Sequence, residues 1–261
     1  MCNFYKILIA TAVLVVILLL VKIYFQLNFA IYGIYFILVT FFLIFIHAVF
    51  SPGSNLFVRT IKGRDFFKTG SANGSILLKF DDGPDPNYTL KILDILKKDN
   101  MQAIFFVTGK RAEKYPEILK RAVSENHLIG NHSYSHSYLI NFFRYKRLLE
   151  EVTKTSAIIE RITGIKPEYY CPPMGQKNPV LGKVIRQTRL DVLTWDIKSY
   201  DTLFSTDRII KRVKSKLRKN TIILFHDGIF KNTKKDRHST VEALPAVIRL
   251  IKQNYSDVVK Q

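Results

Sequence analysis

Two long apolar runs open the chain, and short apolar stretches alternating with amphipathic ones fill the rest. Ile7–Val21 is broken only by Thr11, and with Phe4, Tyr5 and residues 22–25 it approaches the ~20 residues that cross hydrocarbon. Phe29–Phe50 is a second run of 22 residues, with polar character at Tyr32, Tyr35, Thr40 and His47. A polar break around Gln26 and Asn28 separates them. The pattern predicts a transmembrane helical hairpin over residues 1–50. A signal peptide plus anchor and a buried soluble hairpin are the alternatives, but no small-x-small cleavage pattern follows Val21, and the second run would anchor the chain anyway. The expected location is a bacterial-type inner membrane, multi-pass. Lys6 and the group Arg59, Lys62, Arg64 and Lys68 point the shared side of the hairpin to the cytoplasm, Lys22 opposes this, and large folded domains escape the charge rule. The side stays open. His47 reads as interfacial, and Cys2 carries no lipidation signature.

Residues 51–74 hold Pro52, Gly53, Gly63, Gly70 and Gly74 and predict a tether, about two dozen residues that would reach roughly 80 Å if extended. From residue 75 to 261 a single catalytic domain is expected. Strands are predicted at Ile76–Phe80, Ala103–Val107, His127–Gly130, Tyr169–Cys171, Leu190–Trp195 and Ile222–Phe225. Helices are predicted over Tyr88–Lys98, Pro116–Glu125, Asn141–Thr163, Pro179–Gln187, Asp207–Lys219 and Val241–Gln253. Continuous apolar strands alternating with amphipathic helices imply an α/β fold, a parallel sheet covered by helices, open or closed into a barrel. In either form reactive side chains belong at the C-terminal strand ends.

Composition adds two constraints. Lys6 and Lys22 are the only charged residues among the first 50, so residues 51–261 carry +17 of the net +19, which favours anionic partners. Two cysteines, Cys2 and Cys171, exclude a disulfide scaffold and a four-cysteine zinc module. A nucleic-acid partner is not expected, because no basic helix with interleaved aromatics is present and a membrane anchor makes it awkward. The basic run Lys211–Lys219 reads as a solvated or lipid-facing helix face.

Candidate chemistry sits at four strand ends. Asp81 and Asp82 precede Gly83-Pro84, so one carboxylate can bind a metal while the other stays free to move a proton; a plain surface turn is the bland alternative. His132 and His136, four apart, can aim two imidazoles at one point and with Asp82 make a two-histidine, one-carboxylate set with open positions. His226 ends the last clear strand and can protonate a leaving group near neutral pH. Cys171-Pro172-Pro173-Met174-Gly175 is a stiff loop whose amides, Met174 foremost, can face an oxyanion.

Residues 75–255 resemble the polysaccharide deacetylase family, which removes acyl groups from amino sugars. The run FDDGPDPNYTLKILDILKKDNMQAIFFVTGK, then GNHSYSH and LFHDG, match its motifs in order and spacing. The resemblance implies a distorted (β/α) barrel and a bound divalent metal, zinc first, with cobalt, manganese or nickel as alternatives. It implies Asp81 as general base, Asp82, His132 and His136 as metal ligands, the Met174 amide at the oxyanion, and His226 as the acid protonating the departing amine. Asp201 fits a supporting aspartate. Three departures stand out. Lys79 replaces a usual threonine, with little consequence expected. Cys171 stands where many members carry an arginine that holds the catalytic aspartate; some other basic residue compensates or the enzyme is slow, and the thiol reads as a small buried filler. WDIKSYDT departs from a common form, so Trp195 reads as core and Asp196 as surface.

Together with the hairpin and the charge, the resemblance points first to an N-acylated, anionic lipid-linked sugar at the bilayer, such as a polyprenyl-phosphate sugar or lipid A precursor. Peptidoglycan or another envelope polysaccharide is the second substrate class, and formyl is an alternative to acetyl. A catalytically weak glycan-binding protein that keeps the fold is the reading from another class.

Overall fold

Ile76–Asp81 is buried at all six positions, which requires cover on both faces. Successive side chains take opposite faces. Ile76, Leu78 and Phe80 pack into a large outer cluster with the covering helices, while Leu77 joins Ile104, Phe106, Cys171, Leu193, Trp195 and Leu224 on the inner face. The computed structural model describes residues 3–25, 29–68, 76–229 and 236–255.

The strands are β1 (Thr60–Ile61), β2 (Ile76–Asp81), β3 (Ala103–Val107), β4 (Leu128–Asn131), β5 (Tyr169–Tyr170), β6 (Asp191–Leu193), β7 (Ile197–Lys198) and β8 (Thr221–His226). Among the described residues they form one parallel sheet in the order β1-β6-β5-β4-β3-β2-β8-β7, curled into an irregular, incompletely closed (β/α) barrel. The helices are α1 (Asn3–Phe25), α2 (Phe29–Phe50), α3 (Gly63–Lys68), α4 (Thr89–Lys98), α5 (Gly109–Lys114), α6 (Pro116–Ser124), α7 (Tyr145–Thr163), α8 (Pro179–Thr188), α9 (Thr206–Lys216) and α10 (His238–Asn254). In β2–β8 pairing Asp81 lies opposite His226, so two of the candidate motifs end level with each other.

Both α1 and α2 are long and apolar enough to cross a membrane, and their outer side chains are exposed, Phe36 by 73%. The polar break at 26–28 and Cys2 lie outside the described residues. The base of this pair is docked on the barrel. Phe4, Phe45, Ala48, Val49 and Phe57 cluster, with the Phe4 and Phe57 rings 5.0 Å apart. The Lys177 ammonium donates to the carbonyls of Ser51 (2.8 Å), Pro52 (3.1 Å) and Ser54 (2.8 Å), and its amide donates to Val49.

Residues 51–68 are therefore packed structure rather than the expected tether, and its remainder, 69–75, lies outside the described residues. β1 pairs with β6, and Phe66 of α3 is buried in the inner cluster. The glycine that suggested flexibility, Gly63, permits close packing instead: a Cβ there would lie 2.1 Å from the Asn220 carbonyl oxygen. The long extended reach expected of this segment is thereby removed.

Candidate active site

The C-terminal ends of β2, β4, β5 and β8 converge on one cleft of about 170 Å³, lined by Asp81, Asp82, His132, His136, Met174 and His226, with Trp195 and Leu224 as its apolar wall. Every candidate reached from sequence lies in or directly behind this cleft.

Asp82 Oδ1 lies 3.3 Å from His132 Nε2 and 3.4 Å from His136 Nε2. Those separations match the edge of a tetrahedron with metal–ligand bonds of about 2.0–2.1 Å, which is about 3.3–3.4 Å. His132 Nδ1 sits 2.7 Å from the carbonyl oxygen of Cys171, a contact that requires Nδ1 to donate and leaves Nε2 as the ring nitrogen facing Asp82. Burial, and then the neighbouring His132, push the His136 imidazole down to about 4, so it is neutral at physiological pH. Asp82 is held well below the usual carboxylate range: burial opposes ionisation, but the hydrogen bond from His132 and the charge of His226 outweigh it. These three donors fit a small divalent cation.

A second donor set overlaps the first. Asp81, His132 and Cys171 also bring ligand atoms within 4.8 Å of one another. This set already contains a cation. The ammonium of Lys79, fully buried, is hydrogen-bonded to Asp81 Oδ1 and lies 3.4 Å from Cys171 Sγ. The thiol lies 3.7 Å from Asp81 Oδ2. Burial works against the charge on Lys79, but Asp81 outweighs it and holds the ammonium above its ordinary pKa.

Across the cleft, His226 Nδ1 lies 2.9 Å from Asp201 Oδ1, and the His226 amide donates to Oδ2 at 2.7 Å. Thr240 and Ser199 hydroxyls donate to the same carboxylate at 2.8 and 3.0 Å. Burial lowers the His226 pKa, but Asp201, helped by Asp82 and Asp81, raises it above the ordinary imidazole value overall. Met174 has φ 59° and ψ 8°, a left-handed turn in the loop after β5 that carries it to the cleft edge.

A family model described as polysaccharide deacetylase matches residues 68–193. A peptidoglycan-N-acetylglucosamine deacetylase of Bacillus cereus is 37% identical over 58% of this chain and 55% of its own length. A second B. cereus protein of the same description is 30% identical over 69% of this chain and 83% of its own. The solved structure of the peptidoglycan deacetylase PdaC from Bacillus subtilis superposes with a TM-score of 0.62 at 34% identity, covering 70% of this chain and 85% of that one.

The chain belongs to the polysaccharide deacetylase family.

The chain spans about half the length of the first curated relative. Within this deacetylase family frame, three sequence-based expectations change. Lys79 is not inconsequential: its charge sits against the carboxylate expected to act as base, two residues along one strand. The signal was in the sequence, since residues i and i+2 of a strand share a face and a lysine in a strand buried on both sides needs a partner. Asp196 is not a loose surface residue. Its Oδ2 accepts from the amides of Gly63 and Ile222, both at 2.9 Å, which ties α3 and β8 to the loop after β6. Trp195 is buried as expected, but it also walls the cleft, with Gly175 so close that a Cβ there would lie 2.4 Å from its ring.

Proposed function

We propose that this chain hydrolyses the N-acetyl group of amino sugars in peptidoglycan, using a divalent metal, with its N-terminal hairpin anchoring it in the membrane. One observation carries the reading. Two neighbouring carboxylates at one strand end have different company: Asp82 sits at tetrahedral edge distances from two imidazoles, and Asp81 faces the same cleft outside that set.

Asp82, His132 and His136 hold the metal, which when bound supplies a Lewis acid and a more acidic water. Asp81 accepts the proton of the attacking water. The Met174 amide donates to the oxygen on which charge develops. His226, whose hold on its proton Asp201 strengthens, gives that proton to the departing amine, and Asp201 keeps the ring oriented. Trp195 and Leu224 form the apolar wall for the methyl of the acyl group. The first two B. cereus relatives and PdaC carry peptidoglycan deacetylase descriptions, which supports peptidoglycan as substrate.

A lipid-linked amino sugar is the second reading. It is favoured by the clamp of Lys177 on residues 51–54, which holds the end of α2 three residues from Met174. Acetate release by the full-length chain in detergent micelles, measured on peptidoglycan fragments and on a polyprenyl-linked N-acetylglucosamine, tests both. Release that is abolished by a chelator and restored by zinc is expected, with the preferred substrate naming the class. Release from neither substrate, or release that survives metal removal, overturns the proposal.

A further inference from the structure

Lys79 occupies a position where a lysine is costly. β2 is buried along its whole length, and Lys79 has no exposed surface. An ammonium removed from water is tolerated only when paired and hydrogen-bonded. Its partners converge from three strands of the barrel's inner face: Asp81 on its own strand, Cys171 just after β5, and the Phe106 ring of β3, whose centroid is 4.5 Å from Nζ. The Trp195 ring stands 5.4 Å away on another side. Two aromatic faces and one carboxylate leave the ammonium a single place to sit.

The carboxylate it holds lines the same cleft as Asp82, the two histidines' shared ligand. One oxygen of Asp81 is tied to Lys79, and the thiol approaches the other at 3.7 Å. A carboxylate anchored by one oxygen presents the other in a fixed direction, which is what proton transfer from a positioned water demands.

We infer that Lys79 is a positioning residue for the Asp81 base, and that residues 79 and 171 are two alternative mounting points for one buried cation. Cys171 is as deeply buried as Lys79, and its Sγ is within 4 Å of both the ammonium and the carboxylate. A cation carried by residue 171 would therefore meet Asp81 from the other side, provided that residue 79 is small enough to vacate the space.

This inference rests on the hydrolytic reading for its kinetic arm, so its test includes a readout independent of turnover. The full-length, zinc-loaded chain in detergent micelles is labelled with 15N-lysine, and the ammonium region of the spectrum is recorded for wild type, Lys79→Thr and Lys79→Met. A slowly exchanging ammonium signal, distinct from that of the buried Lys177, present in wild type and lost in both variants, is expected. Its absence from wild type overturns the pairing whatever the activity. In the kinetic arm Lys79→Thr keeps its zinc and a KM within about threefold of wild type while kcat falls about a hundredfold. The double variant Lys79→Thr/Cys171→Arg regains about tenfold or more of that loss. Lys79→Met, which keeps the stem and removes the charge, loses kcat like Lys79→Thr, which separates charge from packing. A kcat within about threefold of wild type in Lys79→Thr, zinc loss parallel to the loss of rate, or a folded, zinc-loaded double variant no faster than the single one, would overturn it. Absence of acetate release by wild type is a different result: it refutes the hydrolytic reading and leaves the ammonium signal to decide the pairing.

Discussion

Two buried carboxylate–cation pairs flank the cleft, and they are built in opposite senses. In the Lys79–Asp81 pair the cation is the hidden member, with its side chain fully buried, and the carboxylate meets the cleft. In the Asp201–His226 pair the carboxylate is the hidden member and the imidazole meets the cleft, 14% of its side chain exposed. Both pairs solve the same electrostatic problem, since neither charge is affordable alone in a barrel interior. What differs is which partner is left free to exchange a proton. A lysine keeps its proton and leaves the carboxylate as acceptor. An aspartate raises the affinity of the imidazole for its proton and leaves it as donor. On the proposed reading, the pairing geometry sorts base from acid across a cavity of about 170 Å³.

The comparison breaks most visibly at its reacting members. Asp81→Asn keeps the shape and removes the acceptor; kcat is expected to fall about 10⁴-fold with zinc content unchanged, measured as acetate release alongside metal analysis. A loss of zinc instead would make Asp81 a ligand. His226→Ala is expected to cost less, about 10²-fold, because the imidazole side of the cleft is open enough for water to deliver a proton. Equal loss of activity and metal would reassign His226 to the metal. The hidden member gives the smallest effect and the sharpest one. Asp201→Asn is expected to lower kcat about tenfold and to shift its pH profile. With the His226 pKa raised in the wild type, activity holds below that pKa and fades as pH rises through it. Removing the anion lowers the pKa, so the basic limb moves to lower pH. An unmoved limb would show that His226 does not set it.

Much of this was legible before any coordinates. The strand ends carrying Asp81, Asp82, His132 and His226 follow short apolar runs, and the Gly83-Pro84 and Asp227-Gly228 turns mark two of them. The register that sets Asp81 opposite His226 is a long-range pairing, and no local pattern encodes it. β1 and β7, two residues each, were not anticipated from the sequence. The segment 51–68 misled because its glycines and proline signal turns equally well in a free linker and in a tightly docked one. Lys79 escaped for a different reason: part of its meaning depends on Cys171, 92 positions away and beside a strand three places across the sheet from β2. Read singly, Lys79 looked inconsequential and Cys171 like a loss; brought together, they retain the charge beside Asp81.

The central claim is that one divalent ion is held by Asp82, His132 and His136, with Asp81 left outside. X-ray absorption at the zinc edge of the full-length chain, loaded with one equivalent of zinc, tests it without reference to turnover. The account predicts a first shell of nitrogen and oxygen alone, with two imidazoles. A sulfur scatterer at about 2.3 Å would put the metal on Asp81, His132 and Cys171, and would contradict it.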